Sequence, residues 1–143
     1  MICDMDVSNQ NLKEKIKGAG LKPTAQRIVI LKEILSRKDH PSADIIYQSL
    51  KEEYPTLSIN TVHMNLESFL KKGIISKVNY LHESARFDGD IKSHHHFACL
   101  CCKKIIDIHD LKIPEITISE KLKVSKIFSQ QLQFNGICKE CEE

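Results

Sequence analysis

The chain has 143 residues, a formal net charge of +2 at pH 7, six cysteines and no tryptophan. This length allows one domain or two small ones, and an aromatic content of 6% argues against a large core, which favours a stabilising metal. The balanced charge is too weak a sign to indicate nucleic-acid binding by itself. Acidic residues stand where a secretion signal would need a basic and apolar segment, and no apolar stretch is long enough to cross a membrane. We therefore expect a cytoplasmic protein without a membrane anchor.

The first half of the chain has the pattern of short helices joined by turns. Apolar residues at helical spacing predict a first helix that ends near residues 18–20 and a second that follows Thr24. Pro41 interrupts the chain, because the residue before a proline disfavours the helical region. Ser42 is a suitable N-cap for a third helix, which Pro55 closes.

A fourth helix is predicted from Ser58, a further N-cap, to Gly73, and it has one apolar and one polar face. The apolar stripe consists of Val62, Leu66, Phe69 and Leu70. The opposite face and its flanks carry Asn60, Met64, Glu67, Lys71, Thr61 and His63. Residues 74–81 and 84–87 then predict a hairpin.

Helices followed by a hairpin are the order of a winged helix-turn-helix, whose last helix presents N-terminal side chains to base edges. Many small helical domains share this order without binding DNA, so the pattern alone leaves both interpretations open.

Four cysteines near the end of the chain form two pairs, Cys99 with Cys102 and Cys138 with Cys141. Each pair has the Cys-x-x-Cys spacing that places two thiolates on one turn, and two such pairs supply a closed tetrahedral zinc site. Disulfides are the alternative, but thiols stay reduced in a cytosolic protein. Cys3 and Cys101 are left over as bystanders.

The second half alternates extended and polar segments. Strands are predicted over residues 94–99, 104–108 and 127–134, and a short helix over 114–122, which together make a small α+β domain with the four cysteines at its ends. The concentration of cysteine in the last 45 residues predicts a domain boundary near residues 88–93. The fold class is α+β, with a winged-helix domain at 1–88, a hinge at 89–93 and a zinc-containing domain at 94–143.

Three histidines, residues 94–96, come just before the first cysteine pair. His94 and His96 would point to the same face of a strand because side chains alternate there. The run alone is as consistent with a polar strand edge as with a ligand set.

The chain resembles the ferric uptake regulator family from about residue 12 to residue 141, and within it most closely the peroxide-sensing repressors. The segments that carry the resemblance are 21–27 (LKPTAQR), 40–47 (HPSADIIY), 58–62 (SINTV), 86–88 (RFD), 94–99 (HHHFAC), 104–107 (KIID) and the closing Cys-x-x-Cys. Several motifs in this order and at these separations are hard to reach by chance.

The resemblance implies a metal-dependent homodimeric transcriptional repressor and not an enzyme. The winged helix would bind an inverted-repeat DNA operator, the domain at 94–143 would dimerise, and the paired cysteines would hold structural zinc. The implied DNA-contacting positions are Asn60, Thr61, His63 and Met64. The implied regulatory ligands for Fe(II) or Mn(II) are His40, Asp88, His94, His96 and Asp107.

The donor chemistry agrees with this division, because imidazole and carboxylate ligands suit iron and manganese whereas four thiolates suit zinc. The regulatory ligands come from both halves of the chain, so a metal joining them would clamp one domain against the other and set DNA affinity. In the peroxide branch, bound ferrous iron reacts with hydrogen peroxide and oxidises a ligand histidine, by position His40 or His94. Two features favour that branch: no aspartate interrupts the histidine run, and the last ligand is Asp107 where iron sensors often have Glu.

Some residues depart from the family pattern. His63 stands where the family usually has Tyr, and Met64 where a polar residue is common, which affects the expected operator sequence. Lys103 stands where a glycine usually follows the first cysteine pair, and we expect a different turn there.

Four other functions are alternatives to a peroxide-sensing repressor. A reversible iron-level regulator of the same fold is the nearest alternative, and a zinc-level sensor is a more distant one. A small metalloenzyme would need an open coordination position and a general base, and the sequence has neither an HExxH helix nor an obvious base. A DNA-binding module with structural zinc only would bind DNA without responding to a regulatory metal.

Overall fold

The computed structural model describes residues 8–78, 84–92, 94–112, 118, 123, 126 and 130–142. The chain divides into two compact units, Met1–Ile91 and Lys92–Glu143. This division falls inside the interval 89–93 that the sequence assigns to a hinge. The functional roles given to the two domains remain predictions.

The first unit contains four helices and a two-stranded sheet. The elements are α1 (Asn9–Gly18), α2 (Ala25–Ser36), α3 (Ala43–Leu50), α4 (Ile59–Lys71), β1 (Ser76–Val78) and β2 (Arg86–Asp88). The strands β1 and β2 pair in antiparallel fashion, with Ser76 opposite Asp88. The connection between them lies outside the described residues. This arrangement confirms the predicted order of helices followed by a wing.

Local sequence explains where these helices begin. Each starts behind a serine or threonine whose side chain accepts a hydrogen bond from the backbone N–H three residues on, at Ser8, Thr24, Ser42 and Ser58. The predicted caps at Ser42 and Ser58 are confirmed. The helix α4 ends in a Schellman turn, in which Gly73 has φ +70° and the N–H of Ile74 donates to Phe69 O at 3.0 Å.

The core of the first unit lies between the helices and the sheet. The predicted stripe of α4 is confirmed, because Val62, Leu66 and Phe69 are at most 1% exposed. Their partners are mainly aliphatic side chains, among them Leu12, Ile16, Ile30, Leu31, Ile34, Ile46 and Phe87. The end of β2 packs closely on α2: a Cβ on Gly89 would lie 2.5 Å from Leu35 Cδ2. A larger residue at this position would require the Leu35 side chain to shift.

The second unit is built on a three-stranded sheet in the order β4-β3-β5. The strands are β3 (His95–Cys99), β4 (Ile105–Ile108) and β5 (Gln133–Gly136). The central strand β3 is antiparallel to β4 and parallel to β5. One cysteine pair begins at the last residue of β3, and the other follows β5. Because these two strands are parallel, both pairs lie at the same end of the sheet.

One predicted strand is wrong in its bounds. The sequence predicts 127–134, but residues 127–129 lie outside the described residues, 130–132 are not in a strand, and β5 begins at Gln133 and continues to Gly136. The reason lies at Leu132, whose backbone N–H donates to the His95 side chain at 2.9 Å. The predicted helix over 114–122 lies outside the described residues apart from Ile118.

No helix in the described part of the chain has the length and apolar character needed to cross a membrane.

Candidate metal centres

The four predicted zinc cysteines meet in the second unit. The sulfur atoms of Cys99, Cys102, Cys138 and Cys141 all lie within 4.8 Å of one another. Cys102 Sγ and Cys138 Sγ are 3.8 Å apart, which is the spacing of about 3.8 Å expected for two thiolates on one tetrahedral zinc with bonds of about 2.3 Å. All five cysteines in the described residues are free thiols, so no disulfide joins these pairs.

Two tight backbone turns bring these sulfur atoms together. In the first turn, Cys99 N–H donates to Lys104 O at 2.9 Å and Lys103 N–H donates to Cys99 O at 3.0 Å, which folds Cys102 back toward Cys99. In the second turn, Cys141 N–H donates to Cys138 O at 3.0 Å. In each pair, the Cys-x-x-Cys spacing therefore places the two thiols on one turn.

The two turns also contact each other through side chain and backbone. Lys104 Nζ lies 3.2 Å from the carboxylate of Glu140, although both side chains are largely exposed and the pair adds little stability. The backbone N–H of Cys138 donates to Cys99 Sγ at 3.4 Å. This second contact links the thiol of one pair directly to the backbone of the other.

The electrostatics of the four thiols fit a bound dication. Backbone N–H groups of Cys138, Cys102 and Cys101 lower the pKa of Cys99 to about 6, because they stabilise its thiolate. The pKa of Cys141 is raised above its ordinary value, mainly through the hydrogen bond between its thiol and Cys138. Four adjacent thiols resist ionising together, and a zinc ion removes that conflict by neutralising the thiolates.

The turn after the first pair contains a residue in the left-handed conformation. Lys103 adopts φ +63°, which glycine provides most easily. That this turn differs from the one usual in the family stays a prediction. The hydrogen bonds between Cys99 and residues 103–104 hold the turn, and Lys103 is strained within it.

The first unit holds two of the five predicted regulatory ligands, side by side. His40 Nε2 lies 3.3 Å from Asp88 Oδ2, and both residues are buried, at 2% and 7% exposed. The other oxygen, Asp88 Oδ1, accepts a hydrogen bond from the backbone N–H of Asp90 at 2.9 Å. That bond orients the carboxylate so that Oδ2 faces the imidazole.

The second unit holds the other three predicted regulatory ligands. His94 Nε2 and His96 Nε2 each lie 3.3 Å from Asp107 Oδ1, and the two imidazole rings are 4.6 Å apart. The sheet explains this grouping, because His96 pairs with Asp107 across β3 and β4, and His94 lies two residues before His96. His94 Nδ1 is 2.6 Å from Lys92 O, a contact that fixes the ring and leaves Nε2 directed toward the carboxylate.

The donor atoms of both groups fit iron or manganese. Ligands at right angles on one octahedral ion, with bonds of about 2.1 Å, lie about 3 Å apart, close to the 3.3 Å that separates each imidazole from its carboxylate. Imidazole nitrogen and carboxylate oxygen suit these metals better than they suit a soft ion.

His95, the middle histidine of the run, has a structural role that the sequence reasoning missed. Its side chain is 8% exposed, and its Nδ1 accepts the backbone N–H of Leu132 at 2.9 Å. The alternation of side chains along a strand was the available signal, because it places His95 on the face opposite His94 and His96.

The predicted DNA-contacting residues lie in the first half of α4. Asn60 and His63 are exposed, and Met64 is 68% exposed. Thr61 is half-buried, and its hydroxyl contacts the capping Ser58 hydroxyl at 2.9 Å. Thr61 therefore supports the start of the helix.

Comparisons with known proteins agree with this fold. A model of the ferric uptake regulator family matches residues 18–135. The peroxide-responsive repressor PerR of Staphylococcus epidermidis is 32% identical over 147 residues, which cover 100% of this chain and 98% of that protein.

Two solved structures share the fold. The Helicobacter pylori ferric uptake regulator Fur, described with three functional metal binding sites, has a TM-score of 0.72 at 24% identity and covers 100% of this chain and 98% of its own. The Streptococcus pyogenes PerR, whose structure was described as a basis for peroxide sensing and gene regulation, has a TM-score of 0.53 at 24% identity. The match covers 94% of this chain and 92% of that chain.

Helices with an antiparallel wing, a four-thiol centre and two imidazole–carboxylate groups define a metal-dependent transcription regulator. The chain belongs to the ferric uptake regulator family.

Replacing Cys99 with serine should abolish zinc binding and unfold the second unit, because the binding energy of a structural zinc is folding free energy. Zinc content by elemental analysis should fall from about one ion per chain to almost none, and thermal unfolding should shift to lower temperature. Cys101→Ser is the matched control, since Cys101 is exposed and outside the group of four. A Cys99→Ser protein with full zinc content and unchanged unfolding would contradict the assignment.

Replacing Lys103 with glycine should stabilise the zinc-loaded protein by about 0.5–1 kcal/mol. Glycine removes the steric cost of the left-handed conformation, and this gain exceeds its extra freedom in the unfolded chain. The free energy of unfolding, from urea titration, measures the change. Lys103→Ala removes the same side chain but keeps Cβ, and it should give no gain. Equal stability of the two variants would show that Lys103 is unstrained.

Proposed function

We propose that this chain is a metal-dependent transcriptional repressor that responds to hydrogen peroxide. The observation that carries the proposal is the trio His94, His96 and Asp107, in which two imidazoles face one carboxylate oxygen at 3.3 Å. The 32% identity to a peroxide-responsive repressor over the whole chain supports it.

We propose that all five imidazole and carboxylate residues bind one regulatory Fe(II) or Mn(II). These residues are His40 and Asp88 of the first unit, and His94, His96 and Asp107 of the second. Support comes from the pairing of donors within each unit, from their match to these metals and from the family resemblance. A shared ion would restrict how the two units move relative to one another, and DNA affinity would follow.

The peroxide response would then be a modification of a ligand. Ferrous iron, when bound, supplies the redox chemistry that activates hydrogen peroxide. One peroxide oxygen enters a C–H bond of the His40 or His94 ring, and the other leaves as water. The altered ring is a poorer ligand, so the metal is lost and the operator is released. Each chain is modified once and is not regenerated, so the reaction is stoichiometric and the protein is not an enzyme.

The DNA-binding element would be α4. In a winged helix-turn-helix, the N-terminal side chains of this helix contact base edges in the major groove. The exposed Asn60 and His63 offer hydrogen-bonding groups, and Met64 offers an apolar side chain suited to a thymine methyl group. Thr61 completes the predicted set.

Dimerisation would use the exposed face of the second unit's sheet. Phe97 lies opposite Ile106 on one side and Phe134 on the other, so these three side chains form a row across all three strands. Ile106 is 39% exposed and Phe134 is 42% exposed, which is much apolar surface for one small sheet. A second copy would cover this row, and a two-fold dimer would bind an inverted-repeat operator. Operator DNA and reduced thiols both support a cytoplasmic location.

Replacing Asp107 with alanine should abolish metal-dependent DNA binding and leave the protein folded. The probe is a duplex selected from random DNA by the Mn(II)-loaded wild type, with affinity measured by fluorescence anisotropy with and without Mn(II). We expect Mn(II) to tighten wild-type binding by about tenfold or more, and to have no effect on Asp107→Ala. Asp110→Ala, an exposed carboxylate three residues on, is the matched control and should respond like the wild type. A full Mn(II) response in Asp107→Ala would contradict the proposed site.

Peroxide treatment should oxidise the iron-loaded protein selectively. We expect one added oxygen on the peptide carrying His40 or His94, seen by mass spectrometry, and none in the Mn(II)-loaded protein, because manganese does not support this chemistry here. Release of the selected duplex should accompany the modification. An iron-loaded protein whose histidines stay unmodified while it releases DNA on iron removal would instead be a reversible iron-level regulator.

A further inference from the structure

The side chain of Arg86 connects β2 to the loop that carries His40. Its terminal Nη2 donates a hydrogen bond to Asp39 O at 2.7 Å, and its Nε donates to His40 O. Arg86 lies two residues before Asp88, so the two side chains leave the same side of the strand. One strand therefore contacts His40 twice, at its backbone through Arg86 and at its ring through Asp88.

These two carbonyls control the conformation of His40. They belong to the peptide planes on either side of its Cα atom, and the orientations of those planes set its φ and ψ. His40 has φ +52°, in the left-handed region that residues other than glycine seldom adopt. Pro41 follows and has no N–H of its own with which to hold the loop. Instead, Pro41 O accepts the N–H of Phe87 at 3.1 Å, so β2 holds the chain on both sides of His40.

The form of the Arg86 side chain suits this task. A planar guanidinium presents several N–H groups in a fixed fork, which allows one side chain to hold two carbonyls at once. The N–H groups of this guanidinium go to the backbone of the loop.

A second arginine near the loop has a different contact. Arg37 donates to both oxygens of the Asp39 carboxylate, at 2.9 and 2.6 Å, and to Glu33 at 3.0 Å. It therefore holds a side chain of the loop, while Arg86 holds the carbonyls next to His40. This difference makes Arg37 a matched control.

We propose that Arg86 is a positioning residue for the regulatory metal: it fixes the backbone of His40 so that the imidazole stays beside Asp88 in a ligating orientation. This inference rests on the proposed function, in which His40 is a metal ligand. It adds a residue that acts on the metal only through His40.

The test compares Arg86→Met, Arg86→Lys and Arg37→Met with the wild type, all as zinc-loaded full-length protein. Three quantities are measured: Mn(II) affinity by titration calorimetry, the thermal unfolding midpoint, and the ratio of oxidised His40 peptide to oxidised His94 peptide after equimolar peroxide on the Fe(II) form. The ratio separates positioning from general destabilisation, because a loss of fold lowers both peptides together.

We expect Arg86→Met to weaken Mn(II) binding by about 10- to 100-fold, which is typical when a residue that holds a metal ligand in place is removed. It should also lower the His40:His94 ratio by about tenfold, the lower end of that range. Arg86→Lys keeps the positive charge but lacks the planar guanidinium. It should therefore show a smaller loss of Mn(II) affinity and a smaller fall in the His40:His94 ratio. Arg37→Met should keep the wild-type ratio.

Three results would overturn the proposal: a wild-type ratio in Arg86→Met, an equal loss in Arg37→Met, or, where Arg86→Met fails to fold, a wild-type ratio in Arg86→Lys. Failure of the proposed function has a different signature, since the wild type itself would then show oxidation of neither His40 nor His94.

Discussion

The central strand of the second unit carries candidate ligands for two kinds of metal centre, and this constraint organises the unit: β4 carries Asp107, and β5 leads into the second cysteine pair. The strand β3 has His94 just before it and Cys99 at its end, with β4 and β5 paired on either side. Because side chains alternate, His94 and His96 leave one face and Cys99 leaves the other. The strand therefore keeps imidazole and thiolate donors apart, although only a few residues separate them.

The two donor sets have different physical tasks. Four thiolates on two tight turns would enclose an ion completely, which suits a structural zinc that would hold the ends of β3 and β5 together. The imidazole and carboxylate donors are fewer within each unit, two in the first and three in the second. Neither group alone offers the number of ligands that a closed site needs. In the proposed mechanism this is the source of regulation, because only an ion shared by both groups is fully ligated.

Strain is present at both kinds of centre. His40 and Lys103 both have positive φ, and each is held by hydrogen bonds from neighbouring backbone or side chains. At Lys103 the strain lies in the turn directly after Cys102, a candidate zinc ligand. At His40 it lies in a proposed ligand, and in our proposal Arg86 influences metal binding by holding the backbone of that ligand without contacting the metal.

The features that were predictable from the sequence are those set by nearby residues. The caps at Ser42 and Ser58, the stripe of α4 and its end at Gly73 each depend on side chains within a few positions. The start of β5 was not predictable, because it depends on a hydrogen bond from Leu132 to His95, 37 residues earlier. The pairing of His40 with Asp88 came only from the family resemblance, since no local pattern brings residues 48 positions apart together.

In the proposed mechanism, the regulatory metal and the operator favour the same arrangement of the protein. Thermodynamic linkage then requires each to tighten the binding of the other by the same factor. The most direct measurement is the Mn(II) affinity of the protein with and without the selected DNA duplex, set beside the DNA affinity with and without Mn(II). We predict equal factors, both of about ten or more. A Mn(II) affinity that does not change when DNA binds would contradict it.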